Sequence, residues 1–375
     1  MADFNGKLAV QQRVLPTYRV PFFEQLADLN ESGLGFFSGT ARNSEAISSG
    51  KFNHHKVLHW QGNNVHIGAG PLYICWQQGL LNWLEDYQPD VLVVEANPRY
   101  LTTPKAIQWM HERGRPVLGW GLGVSEVSGL LGGFRKRERE TCVHSLDGIS
   151  AYSEKGAEEY RQFGIPENRV FTAHNAAVLP PTQAIVREPF VKRATILFVG
   201  RLQRRKRLDV LFQACATIPL HLQPNVLIAG DGPDRGYFES FAREIFPDAL
   251  FLGAKYGDEL EVLYKQADLF VLPGTGGLAI QQAMAHSLPV IVAEGDGTQD
   301  DLVRPENGWL VTPGDVQSLA DALTNALADP ENLVEMGAES YRIVCDEINL
   351  RTMAEKFLFA VGKISELGLK EPGKS

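Results

Sequence analysis

The sequence predicts an α/β protein built from two doubly wound parallel sheets. Short strands rich in β-branched and aromatic residues alternate with helical segments along nearly the whole chain. The connections in the second half end in Gly, Asp or Pro. Between Val178 and Arg193 a proline-rich stretch without periodicity interrupts the alternation. At 375 residues, two cores are the default expectation.

In order, residues 7–16 read as a first strand, and Pro21 opens a helix that places Phe22, Phe23, Leu26 and Leu29 on one face. Leu34 to Ser38 is a second strand, followed by a polar loop from Gly39 to Gly50. Tyr73 to Tyr87 carries apolar residues at helical spacing, and Pro89 to Glu95 is a nearly continuous apolar strand. Helix Pro104 to Arg113, strand Pro116 to Trp120, helix Leu130 to His144, strand Gly148 to Tyr152, helix Glu154 to Phe163 and strand Arg169 to Ala173 complete the first half.

After the interruption come strands Thr195 to Val199, Asn225 to Ala229, Ala249 to Leu252, Leu269 to Leu272, Pro289 to Ala293 and Gly308 to Val311. Helices start near Leu208, Asp234, Asp258, Gly277 and Asp315, and the tail reads as helical over Glu331 to Glu347 and Leu350 to Leu367. The domain boundaries expected are 1–180, a linker at 181–193, a second domain at 194–347, and a terminal helix within 348–375 that crosses back to the first domain.

A net charge of -9 argues against a general nucleic-acid binder, which needs a cationic face. Cys75, Cys142, Cys215 and Cys345 lack paired spacing and read as core thiols rather than a disulfide or zinc framework. The first residues have no basic and apolar leader, and no apolar run approaches the roughly 18 residues of a spanning helix, so a cytoplasmic location is expected.

Against that acidic background, the basic run from Arg201 to Arg207 stands at the end of a buried strand. Crowded cations repel, and such a cluster at the mouth of a parallel sheet suits an anion. In the turn after the strand Leu269 to Leu272, Gly274, Gly276 and Gly277 leave backbone N–H groups approachable at a helix start, which is a place for phosphate. Arg201 and Lys206 would add full charges to the same group. Neither Gly-x-Gly-x-x-Gly nor Gly-x-x-x-x-Gly-Lys-Ser/Thr occurs, which disfavours a dinucleotide site and a P-loop. Asp231 with Asp234 and Asp300 with Asp301 lack a third ligand and read as turn and cap residues, so no metal is expected.

The segment from Ile196 to Val311 resembles the carboxy-terminal half of the family-4 glycosyltransferases, two-domain GT-B enzymes. Val199-Gly200-Arg201-Leu202 with Lys206, Leu208 and Asp209 matches that family's Gly-Arg-Leu...Lys-Gly-Leu-Asp signature. Ala229 to Pro233, Phe251 to Gly253, Leu263 to Asp268 and Ala283 to Ile291 match the blocks that follow. The first half is similar more loosely, over Leu15 to Leu26 and Ser150 to Asn175.

The resemblance implies a GT-B architecture of two Rossmann-like domains facing across a cleft. It implies sugar transfer from a UDP- or GDP-type nucleotide-diphosphate sugar to a hydroxyl acceptor, without cofactor or metal and with retention. Arg201 and Lys206 are then the catalytic cations on the donor diphosphate. Gly200, Gly232, Lys255, Tyr256, Gly274, Thr275, Gly276, Gly277, Leu278 and Gln282 are donor-binding candidates, and Arg19, Trp120, Glu126, His174 and Asn175 are candidates on the acceptor side.

Two departures bear on this. The family places glutamates where this chain has Gly274 and Gln282, and a histidine where it has Leu122, so sugar contacts are lost or moved. The helix beginning near Gly129 joins apolar and mixed-charge residues; a weak peripheral contact with the inner membrane face is one expectation, a solvated helix with Glu–Arg pairs the other. Two further readings stand beside transfer: a sugar-nucleotide binding protein that has lost the chemistry, and a nucleotide-sugar epimerase, for which the cleft offers few carboxylates beyond Glu95, Glu126 and Glu294.

Overall fold

The computed structural model describes residues 4–42, 45, 47–124 and 132–369. Contacts divide the chain into one unit of Met1–Asn175 with Leu350–Ser375 and a second of Ala176–Asn349.

The first unit is built on a seven-stranded parallel sheet in the order β3-β2-β1-β6-β7-β8-β9. These are β1 (Leu8–Gln12), β2 (Leu34–Ser38), β3 (Val57–Gln61), β6 (Val91–Glu95), β7 (Val117–Gly121), β8 (Gly148–Ala151) and β9 (Val170–Thr172). A separate antiparallel hairpin pairs β4 (Asn63–Ile67) with β5 (Ile74–Gln78). Central strands such as Val91 to Val94 are wholly buried, which is why they read as continuous apolar runs. Helix α1 (Val20–Leu29) begins with Pro21 in its first turn and buries Phe22, Phe23 and Leu26. The chain also forms α2 (Leu80–Tyr87), α3 (Thr103–His111), α4 (Gly132–His144) and α5 (Glu154–Gln162).

The second unit has a six-stranded parallel sheet in the order β12-β11-β10-β13-β14-β15. Its strands are β10 (Thr195–Val199), β11 (Asn225–Ala229), β12 (Ala249–Gly253), β13 (Leu269–Leu272), β14 (Val290–Ala293) and β15 (Gly308–Val311). Its helices are α6 (Leu208–Thr217), α7 (Arg235–Ile245), α8 (Gly257–Gln266), α9 (Leu278–Ala285), α10 (Thr298–Leu302), α11 (Val316–Ala328) and α12 (Pro330–Arg342). The final helix, α13 (Leu350–Leu367), belongs to the first unit, where the Phe357 ring meets Phe22 edge to face at 5.5 Å.

Strand order reverses between β1 and β6 in one sheet and between β10 and β13 in the other. Loops leaving two such strands part to opposite faces, and the crevice they open beyond the strand ends is where α/β sheets bind ligands.

One expectation needs correction. Tyr73 to Tyr87 is not one helix: Cys75 and Gln77 are buried while Trp76 and Gln78 are exposed, the alternation of a strand, and Gly79 at φ 89° turns the chain into α2. Contacts group segment 181–193 with the second unit. Arg187 donates to the carbonyl oxygens of Tyr264 at 2.7 Å and His286 at 2.8 Å, and also to that of Ala267.

Burial pushes the Arg187 guanidinium down to about 10, with Asp268 opposing the shift. Arg187→Ala should leave those carbonyls unsatisfied and destabilise the chain by about 2–3 kcal/mol, read as a lower denaturation midpoint at unchanged denaturant dependence.

Candidate functional site

In the second unit, β10 ends at Val199 and delivers Gly200 and Arg201 to the crevice, while β13 ends at Leu272 beside the turn Gly274 to Gly277 that opens α9. The basic loop is latched to this turn. Thr275 N donates to Arg205 O at 3.1 Å, Arg205 Nη1 to Thr275 Oγ1 at 3.2 Å, and Lys206 Nζ to Thr275 O at 2.6 Å.

Glycine is required on this contact. A Cβ at Gly274 would overlap the Arg205 carbonyl oxygen and lie 2.6 Å from the Lys206 carbonyl carbon. Gly276, at φ 140°, holds a conformation that disfavours side chains, and a Cβ there would strike Lys206 Nζ. The glycine turn therefore admits the lysine as well as bare peptide N–H groups.

The cations of the loop divide by what they touch. Arg204 lies 3.5 Å from Asp234 and over the Tyr237 ring, Arg207 pairs with Asp209 at 3.2 Å, and Arg205 is held by Gln203 and Thr275. Arg201 is exposed and has no hydrogen bond or ion pair among the described residues. Lys206 is 9% exposed, and burial together with the neighbouring Arg205 charge pushes its ammonium down to about 8. One cation is thus unspent and the other is held in its charged form only weakly.

Beside them lies a cavity of about 660 Å³ within the second unit, a size that takes a small ligand. Of the donor-binding candidates it brings together Gly200, Gly232, Lys255, Tyr256 and Gln282, with Arg201 on its wall. Gly274, Thr275, Gly276, Gly277 and Leu278 are not on that wall; the latch connects the first three to Lys206. Lys255 is paired with Glu259 at 2.6 Å, and Tyr256 is 77% exposed. Gln282 Oε1 accepts from Tyr264 Oη at 3.2 Å, and the Tyr264 ring stacks on His286 at 4.7 Å. Sequence reasoning placed Tyr264 in the matching block Leu263 to Asp268 without a site role, and passed over the apolar wall residue Leu260, whose sequence signal is helical spacing from Gly257.

On the first unit, the Trp120 ring is buried. It is 2% exposed and packs among Phe22, Phe23, Tyr152 and Phe357, so its ring is core. Arg19 is 7% exposed, between the rings of Tyr18, Trp120 and Tyr152. His174 lies 3.8 Å from Glu154 and 3.4 Å from Lys356 Nζ, while Asn175 N donates to Tyr152 O at 2.9 Å. Leu122 is 51% exposed. Glu126 lies outside the described residues, as do Gly129 to Leu131 of the mixed-charge helix. In the described part of that helix Lys136 stands 4.0 Å from Glu140 on its exposed face.

Residues 183–343 match the family model of glycosyl transferases group 1. Over 160 residues the chain is 32% identical to a GDP-mannose-dependent alpha-mannosyltransferase of Mycobacterium tuberculosis, covering 40% of each protein. The chain thus aligns with well under half the length of that relative. Across most of its length it superposes on lipopolysaccharide outer core galactosyltransferase WaaB (TM-score 0.68, 19% identity, 95% of this chain and 99% of that one). It superposes likewise on Anabaena HepE in complex with UDP-glucose (TM-score 0.63, 16% identity, 93% and 97%).

Proposed function

We propose that this chain, which has the GT-B fold and whose residues 183–343 match the family model of glycosyl transferases group 1, moves a sugar from a nucleoside diphosphate sugar to a hydroxyl group. The observation that carries the proposal is that Arg201, which has no partner among the described residues, and the buried Lys206 stand on one loop at the β10–β13 crevice, with Arg201 on the cavity wall.

When the bond between the anomeric carbon and the β-phosphate oxygen breaks, its electron pair goes to the diphosphate. The acceptor oxygen forms the new bond to the sugar and gives up its proton to the departing diphosphate oxygen. Cations already in place oppose the charge growing on the leaving group without reorganising, which is the most effective form of such stabilisation. The likeness to a GDP-mannose-dependent relative and to a protein bound to UDP-glucose supports a purine or a uracil nucleotide equally. The acceptor is assigned to the first unit, where Arg19 stands near the strand ends. Metal independence and retention of configuration are part of the same reading, carried by the family-4 resemblance of the loop from Gly200 to Asp209.

A panel of UDP- and GDP-sugars, followed by release of the nucleotide with and without Arg201→Ala, tests it. Turnover that disappears in the variant is expected; turnover unchanged in the variant would defeat the assignment. The non-catalytic reading has its own support, since Gly274 has no room for a carboxylate and Gln282 Oε1 is already engaged. Tight nucleotide binding with no transfer to any acceptor would favour that reading.

Lys206 also sets a pH dependence. Its protonated form, which meets the diphosphate, prevails below about 8 and is lost above it. Affinity for UDP or GDP should therefore be level below that pH and fall as pH rises, approaching about tenfold per unit. Titration calorimetry between pH 6 and pH 10 should show the fall in the unsubstituted chain and a flat profile in Lys206→Arg, because guanidinium stays charged throughout.

A further inference from the structure

The ends of four adjacent strands in the first unit carry a buried polar row. Glu95, Trp120 and Ser150 pair in register across β6, β7 and β8, so their side chains share one sheet face. Gln12, the last residue of β1, follows the Gln11–Val94 pair and extends the row. Arg19 lies over it, with its guanidinium carbon 5.1 Å from the Trp120 ring centre and 5.2 Å from that of Tyr152.

Each of these side chains apart from Glu95 is more than nine-tenths buried: Gln12 6% exposed, Arg19 7%, Trp120 2%, Ser150 0%. Yet Gln12 Nε2, Arg19 Nη1, Trp120 Nε1 and Ser150 Oγ make no hydrogen bond among the described residues. Buried polar groups in folded proteins are nearly always satisfied, so a cluster of four on one patch of sheet calls for a partner. Trp120 is the informative member. Its ring is fixed by aromatic packing, while its N–H has no acceptor among the described residues.

Three of the four unsatisfied groups are N–H donors with no capacity to accept, and one belongs to a cation. The complement of such a set is an oxygen-rich anion. We propose that the row is a built oxyanion subsite for a phosphate or carboxylate carried by the sugar acceptor, with Arg19 as its cation and Gln12 and Trp120 as flanking donors. The proposal rests on the reading of the first unit as the acceptor side.

Glu95 faces the same row and is the charge an incoming anion must meet. It accepts from Arg13 N at 3.3 Å and from Tyr100, and Arg13 and Arg19 both offset it. Arg13 is itself paired with Glu45 at 2.8 Å, so Arg19 is the cation left to divide between Glu95 and a ligand. Its position between aromatic faces holds the guanidinium in place without using its N–H groups.

The full chain carrying Arg201→Gln and Lys206→Gln, which removes the anion site of the second unit, is titrated calorimetrically with inorganic phosphate, acetate and glucose. Binding of phosphate, acetate or both is expected, with no binding of glucose. Phosphate alone assigns a phosphorylated acceptor, and acetate alone a carboxylated one. Adding Arg19→Gln should weaken that binding at least about tenfold. Should Arg19→Gln fail to fold, Trp120→Phe keeps one aromatic ring in the packing at the cost of a small cavity and a modestly lower melting temperature, removes one donor, and should weaken binding several-fold. Binding of neither anion, or binding that neither substitution alters, overturns the proposal. None of these readouts needs a nucleotide sugar, so failure of the transfer reading would appear separately, as absent turnover in the unsubstituted chain.

Discussion

Lys206→Ala and Arg201→Ala are each expected to lower kcat about 100- to 1,000-fold, the loss of roughly 3–4 kcal/mol seen when one preorganised donor to a developing charge is removed. The two should differ in what else changes. Arg201 is exposed and unpaired among the described residues, so its removal should leave the melting temperature where it was. Lys206 is buried against Thr275 O, and its removal frees one side of the latch, so a modest thermal shift should accompany the loss of rate. If both cations act on one diphosphate, as proposed, the double variant should fall well short of the product of the two single effects. Steady-state kinetics with the donor varied, alongside thermal melts of all three variants, measures each of these. A kcat within threefold of the starting enzyme in either single variant would remove that residue from the chemistry.

The sheets were legible because their strands are buried on both faces. Runs such as Val91 to Val94, Leu269 to Leu272 and Val290 to Ala293 have no polar side to blur the pattern. Strand ends follow from such runs, and with them the meeting of Gly200, Arg201, Gly232 and Gln282 around one cavity. The stretch from Val57 to Gln78 was not legible. There β3 lies at the sheet edge with one residue of five buried, and the β4–β5 hairpin stands outside the sheet, so His59, Gln61, Asn63 and His66 break up the apolar alternation.

Trp120 shows a second limit. A tryptophan at a strand end has the same signature whether its ring faces a ligand or the core, and only the packing of α1 and α13 from distant parts of the chain puts this ring in the core. The latch is a third: Lys206 and Thr275 are 69 residues apart and meet through a backbone carbonyl, which leaves no trace in composition or period. Arg207 belongs with it. It takes a left-handed conformation, φ 52°, at the position where the family signature has glycine, and is pinned there by Asp209.

The latch gives the second large expected effect. Gly274→Ala should cost about 1–3 kcal/mol, the usual penalty for forcing a methyl group into packed atoms, and for a unit of this size should lower the melting temperature by roughly 3–9 °C. The obstruction is backbone on both sides, since the new Cβ would meet Arg205 O and the Lys206 carbonyl carbon, and backbone cannot rotate aside as a long side chain can. Relief requires the loop from Arg204 to Lys206 to withdraw, which parts Thr275 N from Arg205 O and Lys206 Nζ from Thr275 O. A displacement of about 1 Å in a positioned group is enough to reduce turnover on the order of 100-fold, so activity should fall more steeply than stability. Gly274→Glu should be worse on both counts, even though the family signature has glutamate there. The contact that residue makes elsewhere cannot be regained by one substitution, because here the basic loop occupies its space. Melting temperature and kcat measured for both variants decide the matter: a glutamate variant that melts with the parent and transfers sugar faster would show that the loop yields without penalty, and the packing account of Gly274 would fail.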